Sequence, residues 1–190
     1  MQTALQQTIS NFFGINNQAT SSMLSFFKEE HLTKDQFFVK KEQYCDRLSF
    51  IQEGYLRVYA ESGNKEITQW ISVPNYFITE LSSYIFGMRS RFHIRAISDC
   101  VLYTIKKSDY AQLSKVIPNW PAIENKFISS CFITLENRVF NFLSLSAEER
   151  YDKLFEENKE IFNQVPLQYL ASMLGMSPET FSRIRNKKLS

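Results

Sequence analysis

The sequence predicts an α+β protein: an N-terminal β jelly-roll barrel, one long helix, and a C-terminal helical unit. Three observations carry this expectation. Between about 34 and 107, short segments rich in β-branched and aromatic residues alternate with turn-prone pairs. From Pro121 to about Leu145, apolar residues recur at spacings of three and four. From Val165 to Lys188, a proline, a glycine and a serine punctuate two short helical periods. The expected units are a β-barrel domain over 1–120, a long helix over 121–145 and a helical domain over 146–190.

Residues 1 to about 30 are polar and contain a helical stretch, TSSMLSFFKEE, in which Met23, Leu24, Phe26 and Phe27 crowd one side. The strand-like pieces follow: QFFVKK, RLSFIQEGYLRVYAE, EITQWIS, RFHIRAIS and CVLYTIKK. Glu53-Gly54, Ser62-Gly63-Asn64, Pro74-Asn75 and Ser98-Asp99 separate them. In Phe92–Ile97, Phe, Ile and Ala share a face only if the chain is extended. Many short strands at this spacing indicate a sandwich or jelly-roll barrel.

After Lys107 the period lengthens. Ser108 is a candidate N-cap for DYAQLSKVI, and Pro118 and Pro121 punctuate the next start. The helix from Pro121 is apolar on two sides. One side carries Ile123, Phe127, Cys131, Leu135, Arg138, Phe142 and Leu145; the other carries Ile128, Phe132, Ile133, Val139, Phe140 and Leu143. Such a helix cannot be solvated on either side. One side is expected to lie on the barrel and the other to need a partner, a second copy of the same helix. Ile123, Phe127, Cys131, Leu135 and Phe142 are assigned to pairing. A core helix packed within one domain is the alternative. Ser146-Ala-Glu-Glu opens a further helix with a capping-box pattern. Six acids oppose three bases over 146–160, so that stretch should face away from a polyanion.

Composition sets bounds. The chain has 190 residues, 44% hydrophobic and 22% charged, near the average of folded domains. Seventeen Phe and nine Tyr point to a large aromatic core or a long buried interface. The net charge of +2 does not mark a nucleic-acid binder by itself, so that claim must rest on local clustering. No apolar run reaches the roughly 18 residues of a membrane span. The N-terminus lacks the basic and apolar regions of a signal peptide. Cys45, Cys100 and Cys131 are scattered and read as reduced thiols of a cytoplasmic protein.

The most informative segment is Val165–Lys188. Pro166 suits a first helical turn, and Leu167, Leu170, Ala171 and Leu174 form one apolar face. Ala171 is small where a second helix must cross. Gly175 stands where a left-handed residue is wanted. Ser177 then caps a second helix beginning at Pro178, and Phe181 and Ile184 point back to the first. This is the pattern of a helix-turn-helix. Glu179, Ser182 and Arg183 share the opposite face. Arg can bond guanine bidentately, and Glu can accept from cytosine. The segment from 177 onward has a local balance of +3. Ser177, Thr180, Arg185, Lys187 and Lys188 are assigned to the phosphate backbone.

These segments, with FIQEGYLRVYAESGNKEITQWI and SAEERYDKLFEENKEIFNQV, resemble the Crp/Fnr family of transcription regulators, in the form found in Bacteroidetes-type bacteria. The resemblance covers roughly 20–190. It implies a cyclic-nucleotide-binding-type barrel, a dimerisation helix and a DNA-reading helix whose Glu179, Ser182 and Arg183 contact bases. It also implies a homodimer on inverted-repeat, double-stranded DNA, and RNA polymerase as a further partner. Many relatives continue into a β-hairpin wing; here a wing is expected to precede the reading helices or be absent.

The effector cassette departs from the family. The Gly-Glu-Leu turn of cyclic-AMP binders corresponds to Thr79-Glu80-Leu81, and their Arg-Ser pair to Ser90-Arg91 in reversed order. Ser90 cannot neutralise a phosphate, and Arg91 would point to the other face of a strand. Cyclic AMP is therefore not expected as the ligand, although Arg89 or Arg91 could meet another anion. A pocket filled by Phe77, Tyr84 and Phe86 is the other possibility. No cofactor or metal is expected: the three Cys do not suit an iron–sulfur cluster, and His31 and His93 are too few for a metal-dependent cupin. No catalytic triad, P-loop or GxGxxG occurs, so no enzyme is expected. The rival reading is a small-molecule sensor whose helical tail docks onto a protein.

Overall fold

The computed structural model describes the backbone of residues 2–189 and the side chains of residues 5–188. Helices α1 (Gln2–Phe13) and α2 (Asn17–Leu24) come first. Asn16 caps α2 by accepting from the Ala19 amide. The helical stretch thus ends at Leu24, earlier than the pattern implied, and Glu29 and Glu30 lie in strand β1 (Lys28–Leu32). Pairing with the last strand overrides the local preference there, and the Glu30 carboxylate is neutralised by Arg47.

Strands β2 (Phe37–Val39), β3 (Arg47–Glu53), β4 (Leu56–Ser62), β5 (Lys65–Ser72) and β6 (Phe77–Ile78) follow, then helix α3 (Leu81–Phe86). Strands β7 (His93–Ala96) and β8 (Cys100–Lys106) complete the set. They form two four-stranded antiparallel sheets, β1-β8-β3-β6 and β2-β7-β4-β5. The architecture is a β-sandwich, and the expected closed barrel is not what the pairing builds. Val39, Ile51, Leu56, Ile94, Ala96 and Leu102 fill the space between the sheets. Each large apolar side chain buried there contributes about 1.5–3 kcal/mol.

Two short helices, α4 (Lys107–Tyr110) and α5 (Leu113–Val116), replace the single helix expected after Ser108. Ser108 lies inside α4, and Lys106 stands at the N-cap without a side-chain bond. The long helix α6 runs Trp120–Ser144, within one residue of expectation. Its Ile123 and Phe127 pack into a second core made by Ile9, Phe13, Phe50, Ile105, Leu113 and Trp120. These two residues therefore face the chain's own first unit, not a pairing seam. The remaining side is exposed: Phe132 is 65% exposed, Val139 52%, Phe140 66% and Leu143 83%. Cys131, Leu135 and Phe142, assigned to pairing together with Ile123 and Phe127, are exposed.

Helices α7 (Ala147–Glu157), α8 (Ile161–Gln164), α9 (Leu167–Met173) and α10 (Pro178–Leu189) end the chain. The capping box at Ser146 and Glu149 is present in both directions. Tyr151, Phe162, Leu170, Ala171, Phe181 and Ile184 form the core of this unit, and Tyr55, Ile71 and Ile97 of the sandwich join it. The C-terminal unit is thus seated on the second sheet.

Candidate functional site: an exposed helix face on a docked C-terminal unit

The α9–α10 connection is built by local signals. Gly175 has φ +66°, and the Met176 amide donates to the Ala171 carbonyl while the Gly175 amide donates to Ser172. This pair of bonds ends α9 in a Schellman motif. A Cβ on Gly175 would also meet the Phe142 ring at 2.9 Å, so the turn sits tightly beneath α6. Pro166 stands just before α9, not within its first turn. Ser177 Oγ accepts from the Thr180 amide and caps α10. Phe181 and Ile184 are buried, which turns Glu179, Ser182 and Arg183 outward, and all three are exposed. The Glu179 carboxyl is held below its usual range by the Ser177 hydroxyl and its own backbone amide. It is ionised and able to accept a proton-bearing edge at neutral pH.

The expected phosphate contacts are placed less uniformly. Arg185 is half-buried. Lys187 reaches Glu148 at 3.1 Å, and Lys188 reaches Asp152 at 2.8 Å. The acidic helix α7 therefore folds its acids against the basic end of α10. The Glu148 carboxyl is held below its usual range by Lys187 first and Lys188 second. This contribution is present above the ordinary carboxylate pKa and is lost as pH falls through the lowered one. Substituting Glu148→Gln with Asp152→Asn removes the competition for both lysines. If α10 meets duplex DNA, we expect tighter binding and a steeper salt dependence, by about 0.9 in log–log slope for each further phosphate neutralised. Anisotropy titrations over a series of KCl concentrations measure both; an unchanged slope would show that the lysines do not reach phosphate.

Sequence reasoning missed the docking of α9. The Arg57 guanidinium, 1% exposed, lies 4.2 Å from the Tyr59 ring and 3.8 Å from that of Tyr169 on α9. Its Nε donates to Thr68 Oγ1 at 2.9 Å, and a terminal nitrogen pairs with Glu66. Arg95, directly across the strands from Arg57, donates to the Tyr169 hydroxyl at 3.2 Å. Gln69 bulges from β5, and the neighbouring Thr68 amide donates to Ser172 Oγ at 2.9 Å. No local signal announces such contacts, because the sandwich residues and their α9 partners are 74 or more residues apart in the chain.

The expected effector residues are engaged locally. Glu80, 4% exposed, caps α3 by accepting from the Ser83 amide at 2.7 Å and from the Ser82 hydroxyl. Thr79 donates to the Arg47 carbonyl, and Ser90 donates to that of Phe92. Leu81 and Arg91 are exposed, and Arg91 lies over the Phe92 ring. Arg89 donates to the Glu42 carbonyl. Among the expected fillers, Tyr84 is buried and Phe77 half-buried, but Phe86 is 75% exposed because it ends α3 on the solvent side. His93 accepts from the Lys41 amide and stacks on Tyr59, while His31 sits beside Glu29.

Residues 29–115 match the cyclic nucleotide-binding domain family. No curated protein sequence matches the chain. Solved structures with the same fold span nearly its whole length. The c-di-GMP-responsive global regulator CLP of Xanthomonas campestris aligns at TM-score 0.69 and 16% identity, covering 92% of each chain. The catabolite activator protein of Thermus thermophilus aligns at 0.59 and 20%, covering 93% of this chain and 84% of that one. A Eubacterium rectale protein assigned to the crp/fnr family aligns at 0.66 and 20%, covering 94% and 88%. The cyclic nucleotide-binding-type domain and the helices behind it thus share the fold of Crp/Fnr-type regulators. Among the described residues, no helix is long and apolar enough to cross a membrane.

Proposed function

We propose that the chain is a sequence-specific DNA-binding transcription regulator with no catalytic role, acting as a homodimer on an inverted-repeat operator. The observation that carries this is the solvent-facing trio Glu179, Ser182 and Arg183 on a helix whose other face is buried. An acid, a hydroxyl and a guanidinium presented on one exposed helix face match the edges of bases in a major groove. The two-sided α6 supplies the partner surface. Ile128, Phe132, Leu135, Val139 and Phe142 recur at spacings of four and three and are all exposed. That is a heptad seam, which a second copy of α6 covers. Pairing along it sets two reading helices about one DNA turn apart.

The cyclic nucleotide-binding-type domain modulates the reading heads, and cyclic AMP is not its effector. Glu80 is committed to capping α3, and Arg91, the nearest basic residue of the cassette, faces solvent.

Arg183→Ala tests the DNA reading. In a mobility-shift assay on a selected palindromic site, the variant is expected to lose about 1–3 kcal/mol and to relax preference at one base pair of each half-site. Equal affinity and equal preference would refute the assignment. Salt separates this reading from a protein-docking tail, since only phosphate neutralisation weakens steeply with added salt.

A further inference from the structure

A cavity of about 480 Å³ opens between the two units, away from Thr79–Leu81 and Ser90–Arg91. Its sandwich wall is the end of β5 and the turn after it, with Trp70 and Tyr76; its other walls come from α6, α7 and the end of α9. Three cations line it. Arg138 lies 4.7 Å from the Trp70 ring and donates to the Met173 carbonyl. Arg150 donates to the Leu174 and Leu145 carbonyls, and Lys153 to Asn141. The two arginines thereby cap carbonyls at the C-terminal end of α9, but each guanidinium carries five N–H groups and spends only one or two on them.

No ion pair among the described residues involves Arg138, Arg150 or Lys153. Glu157 is the one carboxylate in the lining, and it is exposed. Burial lowers the affinity of Arg138 for its proton, so the group is desolvated without an opposite charge. A desolvated cation of this kind is stabilised by an anion that enters with it. Asn137, Asn141 and Asn158 add amide groups to the same walls, and Trp70, Tyr76 and Phe142 add ring faces. The volume lies within the range of small-molecule sites.

We propose that this cavity binds an aromatic phosphate of about mononucleotide size, with its phosphate on Arg138, Arg150 and Lys153 and its ring against Trp70. Such a ligand touches the sandwich, α6, α7 and the turn after α9 at once, so it sets how firmly the C-terminal unit is seated. Binding in the cavity is independent of DNA reading, because its test contains no DNA.

The chain holds two tryptophans, Trp70 at the cavity and Trp120 at the start of α6, buried in the second core. Their indole N–H signals in a nitrogen-15 correlation spectrum of the full chain are a built-in pair of probe and control. Phenyl phosphate is expected to shift the Trp70 signal saturably and leave Trp120 in place. Phenol and inorganic phosphate alone should bind at least about tenfold more weakly, since each offers only half of the ligand's chemistry. Arg138→Met should weaken phenyl phosphate by about tenfold or more. Should that variant fail to fold, Lys153→Gln, at an exposed position, decides: weaker binding than wild type supports the site, equal binding overturns it. A Trp70 signal that does not move at about 10 mM phenyl phosphate, or that moves equally in Arg138→Met, overturns it as well.

Discussion

A chain carrying Phe132→Glu and Val139→Glu is expected to sediment as a folded monomer and to lose about 100-fold or more in affinity for a palindromic operator. Both side chains are more than half exposed on the single chain, so neither change opens a cavity or breaks an internal contact. Paired across a two-fold axis, they would bring four carboxylates into an apolar seam. Apolar burial there is worth at most about 1.5–3 kcal/mol per large side chain. Removing it and desolvating unpaired carboxylates, at several kcal/mol each, leaves nothing to hold the pair. Affinity then falls because two half-sites are no longer engaged by one molecule. Sedimentation velocity and anisotropy on full and half operators measure the two effects. A variant that stays dimeric would show that the exposed stripe is not the seam.

Gly54→Ala is expected to cost about 3 kcal/mol or more in stability, a large effect for a single methyl group. The residue has φ +89° in the turn between β3 and β4, where an L side chain is already strained. An added Cβ would stand 2.3 Å from the Asp99 carbonyl oxygen and 2.6 Å from Cys100 Sγ. Backbone on one side and a buried thiol on the other leave no route for relaxation. The consequence reaches the C-terminal unit, because Tyr55 is the next residue and packs in its core. Urea unfolding followed by far-ultraviolet circular dichroism checks the expectation; a midpoint like that of wild type would contradict it.

What could be read in the sequence was local in origin. Gly175, Ser177, Pro178 and the Ser146–Glu149 box act on backbone groups within a few residues, and each sits where its chemistry places it. The burial of Phe181 and Ile184 followed from period alone. The two apolar sides of α6 could not be ranked that way, because both repeat at helical spacing. Only the packing of α1 against α6 shows that Ile123 and Phe127 are used internally. The same applies to the end of α2, where pairing between Lys28–Leu32 and Cys100–Thr104 decides the backbone state. The commitment of Lys187 and Lys188 to α7 and the seat of Tyr169 on Arg57 are likewise long-range events. Charge counting cannot distinguish a lysine waiting for phosphate from one already answered by a neighbouring acid.

The bulge at Gln69 has a bearing on how the open form of the molecule would behave. β5 is the outermost strand of its sheet, and Ser172 accepts from the Thr68 amide beside the bulge. Any excursion that lifts the C-terminal unit bares the buried Thr68 and Ile71 beside the already exposed Ile67, a short sticky rim able to recruit a strand from another molecule. Seating of the C-terminal unit would therefore double as protection against self-association.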